Sequence, residues 1–151
     1  MFDQIRDLYQ EVVFDHNRHP RNFRVMDDAT QTIEGHNPLC GDRITLYLKQ
    51  ADGRIEDVSF QGAGCAISTA SASLMTEIVR GMTETEAEAL FETFHRITTG
   101  RDDQTPPLEE LGKLAVLAGV RAYPARVKCA TLAWHSLQAA LKHQDRPVST
   151  E

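Results

Sequence analysis

The chain has 151 residues, a net charge of −6 and 41% apolar residues. That length suits one domain with one core, and the apolar share is too high for a disordered chain. The negative charge excludes the basic footprint of a general nucleic-acid binder, and no apolar run reaches the roughly 20 residues that a membrane helix needs. The opening segment MFDQIRDLYQE carries no apolar secretion signal, which points to the cytoplasm.

Residues 3–17 read as an amphipathic helix. Ile5, Leu8, Tyr9, Val12 and Val13 share one stripe and Asp3 is placed to cap it. His19-Pro20-Arg21-Asn22 ends it, and 22–30 read as irregular chain. A β region follows. Ile44, Leu46 and Leu48 alternate with Thr45, Tyr47 and Lys49, Asp52-Gly53 is a hairpin signal, and Val58 and Phe60 continue the return strand to about Gln61. Thr32 and Ile33 mark an earlier strand over 31–35, and three such strands need helices to cover their apolar face.

The remainder reads as helical. Ile67, Ala70, Leu74 and Ile78 share a face, and Gly81 fits the position just past the helix end. Thr83 and Glu86 have capping-box spacing, opening a helix that carries Leu90, Phe91, Phe94 and Ile97 up to Gly100. Residues 101–107 read as a loop, and Leu108, Leu111, Leu114 and Leu117 as a short helix. Pro124 suits the first turn of a last helix, with a core stripe of Leu132, Ala133, Leu137, Ala140 and Leu141. The order is helix, β meander, then helices. The expected class is therefore α+β, one domain over 1–143 followed by a polar, frayed tail over 144–151.

Chemistry concentrates on three cysteines, each at a junction between elements. Cys40 precedes a strand in GHNPLCGDRI, Cys65 follows one at a helix start in QGAGCAIS, and Cys129 sits in the first turns of the last helix in ARVKCATLAW. Their wide spacing is not a zinc-ribbon pattern. A thiol at a helix N-terminus meets the positive end of the dipole and unpaired N–H groups, which favour the thiolate, the form that binds metal or attacks sulfur. Asp42 lies two residues from Cys40, on the same side of extended chain, so the two side chains can share one ion. Three sulfurs and a carboxylate make a closed tetrahedral set with one exchangeable oxygen. The residues alone leave two readings open, a metal or reactive-thiol site and three buried structural cysteines. His36 is a substitute ligand near Cys40, while His16 and His19 read as a solvated helix end. His95, His135 and His143 read as surface positions on helices.

The segments LYQEVVFDHNRHPRNF, GHNPLCGDRI, FQGAGCAISTASASLM and ARVKCATLAWHSL resemble, in the same order, the U-type iron–sulfur cluster assembly proteins. The resemblance covers nearly the whole chain and places Cys40, Asp42, Cys65 and Cys129 on that family's metal positions. It implies a small three-stranded antiparallel sheet packed against several helices, with the site at an exposed end. Scaffold-type (IscU-like) members carry histidine just before the third cysteine, where this chain has Lys128, and the long stretch between Cys65 and Cys129 holds an extra segment around 85–113. Both features are similar to the SufU branch.

That branch implies a zinc-dependent sulfurtransferase that accepts persulfide sulfur from a SufS-type cysteine desulfurase and passes it to downstream iron–sulfur assembly machinery. Cys40 is then the acceptor, and Cys65 and Cys129 the anchors. Arg126, one turn before Cys129, is a candidate from its position for orienting the displaced group or the partner, the alternative being a surface arginine near a helix start. The alternative is a scaffold that holds iron or a [2Fe–2S] cluster on the same ligands, since thiolates suit both metals. A structural zinc domain without chemistry is the third reading.

Overall fold

Alternation and capping signals turn into elements close to where the residue pattern sets them. The structure, a computed structural model, describes residues 2–38, 41–99, 124–142 and 148–149. Helix α1 spans Phe2–Arg18, strands β1 to β3 span Gln31–Asn37, Asp42–Ala51 and Arg54–Ala63, and helices α2 and α3 span Ala66–Val79 and Glu84–Thr99. Helix α4 spans Pro124–Leu141, and a two-residue strand β4 spans Val148–Ser149. Because α1 begins at Phe2, Asp3 lies inside its first turn rather than capping it. The expected short helix over Leu108–Leu117, its preceding loop and His143 lie outside the described residues.

The sheet order is β3-β2-β1-β4. Strands β1, β2 and β3 are antiparallel, the meander expected from the sequence. Strand β4 adds a short parallel pairing with Gly35 and His36, from within the segment expected as a tail. Asp52 and Gly53 both take positive φ, 54° and 74°, as a two-residue hairpin turn requires. The turn after α2 places Gly81 at φ 88°, with Met82 N–H closing onto the Val79 carbonyl at 3.0 Å and Gly81 N–H donating to the Ile55 carbonyl at 2.8 Å. That glycine therefore ends the helix and ties it to β3. Thr83 and Glu86 form the reciprocal capping box, each backbone N–H donating to the other's side chain at 3.1 Å.

The inward face of the sheet supplies Leu46, Leu48, Val58 and Phe60 to the core, against Leu74 and Met75 of α2 and Leu132, Trp134 and Leu137 of α4. Phe94 of α3 packs beside Trp134 with ring centroids 4.8 Å apart. Helix α2 departs from the expected single apolar stripe. Ile67 and Ile78 are only half-buried, while Ser71, Ser73 and Thr76 are fully buried. The hydroxyls of Ser71 and Ser73 are satisfied from other elements, while Thr76 donates to the Ser73 carbonyl within α2. Trp134 Nε1–H donates to Ser71 Oγ at 3.1 Å, Ser71 donates to the Ala130 carbonyl, and Arg21 N–H donates to Ser73 Oγ at 2.8 Å.

His16 corrects another expectation. It is only 4% exposed, with Nδ1 hydrogen-bonded to Ser73 Oγ at 2.7 Å, because α1 packs that face onto α2. His19 alone keeps the exposed position. Among the described residues, no helix is long and apolar enough to cross a membrane.

Candidate metal centre

Strand parity decides which polar residues meet at one end of the sheet. Along β1, Ile33, Gly35 and Asn37 face inward, so Asn37 is fully buried while His36 points outward and is exposed. Asn37 is paired in register with Asp42, the first residue of β2, which is also fully buried. Gly41, at φ 72°, donates its N–H to the Asn37 carbonyl at 2.9 Å, next to the Asn37–Asp42 pair that ends the β1–β2 ladder. Cys40 itself lies outside the described residues.

Cys65 is the N-cap of α2. Its backbone is extended (φ −70°, ψ 165°) and its Sγ accepts the Ser68 N–H at 3.4 Å. This is the helix-start environment read from the sequence, with a backbone donor turned toward the sulfur. The Cys65 N–H donates in turn to Asp42 Oδ1 at 2.9 Å. Such closeness depends on Gly64, where an added Cβ would stand 2.6 Å from Asp42 Oδ1.

Cys129 is fully buried on α4. It lies past the first turn, where helical N–H groups are already used in the helix ladder, so the helix start offers its sulfur no free backbone donor. A side-chain donor serves instead. Asn37 Nδ2 lies 3.5 Å from Cys129 Sγ and 3.2 Å from Asp42 Oδ2.

One ligand atom from each of Asp42, Cys65 and Cys129 falls in a group within 4.8 Å of one another. Bonds of about 2.0–2.3 Å in a tetrahedral site place donors about 3.3–3.8 Å apart. Small side-chain rotations therefore suffice to close these three around one ion. Two soft sulfurs and one oxygen suit zinc, and thiolates equally suit iron–sulfur chemistry. The carboxylate has lone pairs to spare beyond the two hydrogen bonds it accepts.

Of the other residues singled out in the sequence, Lys128 is half-buried beside Cys129 and His36 stays outside the group. Arg126 lies in the first part of α4, and its side chain is outside the described part of the structure. His135 is half-buried rather than fully at the surface. It packs at 5.3 Å from the rings of both Phe91 and His95, and burial, with the nearby His95, lowers its pKa below the usual imidazole value. Sequence reasoning missed Asn37, although the inward parity of Ile33, Gly35 and Asn37 carried the signal for it. The glycines before Cys65 read from the sequence as places of close backbone approach, and the structure adds that Asp42 is what Gly64 approaches.

The chain matches the family described as NifU-like N terminal domain over residues 8–130. It is 42% identical over 139 residues to the iron–sulfur cluster assembly scaffold protein IscU of Streptococcus pyogenes, covering 92% of this chain and 86% of that one. It is 39% identical over 140 residues to the zinc-dependent sulfurtransferase SufU of Bacillus subtilis, covering 91% and 92%. Among solved structures, a putative iron–sulfur cluster assembly scaffold protein for the SUF system from Fervidobacterium islandicum superposes with a TM-score of 0.82 at 34% identity, covering 89% of this chain and 96% of the other.

Proposed function

The chain belongs to the NifU-like N-terminal domain family, and on that premise we propose that it is a zinc-dependent sulfurtransferase of iron–sulfur cluster assembly. The observation that carries this reading is the convergence of Asp42, Cys65 and Cys129, with Cys40 two residues before Asp42 in the sequence. Lys128 in place of a histidine and the name of the Bacillus subtilis relative support sulfur transfer. The name of the Streptococcus pyogenes relative supports the second reading, a scaffold for iron or a [2Fe–2S] cluster on the same residues.

In the proposed mechanism Cys65 and Cys129 are the anchoring ligands, Asp42 the exchangeable oxygen ligand and Cys40 the fourth ligand. Zinc, when bound, keeps the thiols deprotonated without redox chemistry of its own. The partner is a SufS-type cysteine desulfurase carrying a cysteine persulfide. The Cys40 thiolate attacks the terminal sulfur of that persulfide. A new S–S bond forms on Cys40 as the partner's S–S bond breaks, and the electron pair leaves on the partner's cysteine as a thiolate. The exchange is redox-neutral and needs no further reactant. Arg126 orients the incoming or departing thiolate by its fixed positive charge. The downstream assembly machinery then takes the sulfur from Cys40.

The test is metal analysis of aerobically purified protein together with stimulation of a SufS-type desulfurase. About one zinc per chain is expected from a closed four-ligand site, and Cys40→Ser should abolish stimulation. Substantial iron with visible absorbance would replace the zinc reading with the scaffold one. Full stimulation by Cys40→Ser would remove that residue as acceptor.

A further inference from the structure

We propose that Asn37 is a positioning residue of the metal centre, whose side-chain amide ties Asp42 to Cys129 and governs how quickly the ion exchanges. The inference rests on the metal reading above and adds to it a residue that is not itself a ligand. Asn37 Nδ2 carries two hydrogens and has two acceptors in reach, Asp42 Oδ2 at 3.2 Å and Cys129 Sγ at 3.5 Å. The residue is fully buried and sits on the last rung of the β1–β2 ladder opposite Asp42, with its carbonyl accepting the Gly41 N–H.

The orientation of the amide carries the argument. Among the described residues, Asn37 Oδ1 is buried without a hydrogen-bond partner, an unfavourable state for a carbonyl. Turning the amide over would aim that oxygen at a carboxylate and a sulfur, both of which bear negative charge when they hold a metal. The orphaned oxygen is therefore the lesser penalty, and the NH2 group faces the two groups that need it. With the Cys65 N–H on Asp42 Oδ1 and the Ser68 N–H on Cys65 Sγ, the amide completes one unbroken hydrogen-bonded chain through all three converging ligands. These three are thus aimed by the protein itself, through hydrogen bonds among residues of β1, β2, α2 and α4.

Groups that orient ligands from outside the metal typically change affinity by about 10–100-fold when removed. Zinc release into a chromogenic chelator should accelerate by about that factor in Asn37→Leu, which has similar volume and no donor. Cobalt(II) loaded into the same protein supplies a second readout. Loss of the N–H on Cys129 makes that sulfur a stronger donor, so the thiolate-to-cobalt charge-transfer band should move to lower energy. Asn37→Ser retains one donor and should fall between wild type and Asn37→Leu on both readouts.

A folded Asn37→Leu or Asn37→Ser with the wild-type release rate and an unmoved band overturns the proposal while leaving the metal centre standing. Loss of the fold in both variants also overturns it, by making Asn37 a purely structural residue. Wild-type protein that takes up neither zinc nor cobalt overturns the metal reading itself.

Discussion

The backbone N–H of Cys65 donates to Asp42 Oδ1 at 2.9 Å, so the cap of α2 and the first residue of β2 hold each other in place. A carboxylate used this way has a structural duty as well as any duty toward an ion. The two can be separated by measurement.

Asp42→Ala should destabilise the protein even without metal. It leaves the Cys65 N–H without its acceptor and the Asn37 amide with Cys129 alone, and a stranded buried donor costs about 1–3 kcal/mol. Chemical unfolding of the metal-free variant should show a loss of that order. Zinc binding should weaken in the same variant. Wild-type stability would mean that water takes over both hydrogen bonds.

Gly64→Ala isolates the approach of β3 to the carboxylate. The new methyl would stand 2.6 Å from Asp42 Oδ1 and 3.2 Å from its Cβ, so Asp42 must rotate or the strand must shift. Overpacking of this kind typically costs about 1–3 kcal/mol. The expected outcome is unchanged helix content by circular dichroism with faster zinc release. An unaltered release rate would show that the site accommodates the methyl freely.

The capping box at the start of α3 predicts a dependence on acid. Hydrogen bonds from Thr83 hold the Glu86 carboxyl below its usual pKa. A lowered folded pKa stabilises the protein above the unfolded value, and the contribution disappears as pH falls through the folded value. Thermal unfolding across the acidic range should therefore drop less steeply for Glu86→Gln than for wild type. Thr83→Ala should lose about 1 kcal/mol at neutral pH, the usual cost of a lost N-cap.

His135 gives a second pH effect, also toward instability in acid. Burial and the neighbouring His95 lower its folded pKa. The unfolded chain then binds more protons than the native one once pH falls below about 6.5. Stability should decline from about pH 6.5 downward until the folded value is passed. His135→Phe should flatten the slope in that window. Identical slopes in wild type and variant would assign the effect to another group.

The strands were legible because one face meets the core and the other does not: Ile44, Leu46 and Leu48 are buried and their neighbours only partly so. The Asp52-Gly53 turn and the Thr83–Glu86 box were legible because each is a local pattern with a local hydrogen-bond or backbone requirement. Helix α2 was not, because Ser71, Ser73 and Thr76 are buried only by virtue of Trp134, Ala130, Arg21 and His16, which come from other parts of the chain. Helix α4 is covered on most sides, so its apolar stripe understates its burial. At the site, Asp42 stood out through its spacing from Cys40. Asn37 did not, since a buried asparagine is explained only by the acceptors that other elements bring to it.

The three converging ligands come from the start of β2, the cap of α2 and the body of α4, far apart along the chain. A chain emerging from the ribosome exposes Asp42 and Cys65 long before Cys129, and even then the sulfur is in place only after α4 has docked. A zinc finger gathers its ligands locally and uses the ion to nucleate folding. Here the order is reversed. On the proposed metal reading, ion capture at this centre would belong to the end of biosynthesis, and a truncated or misassembled chain would lack a complete receptor for the metal.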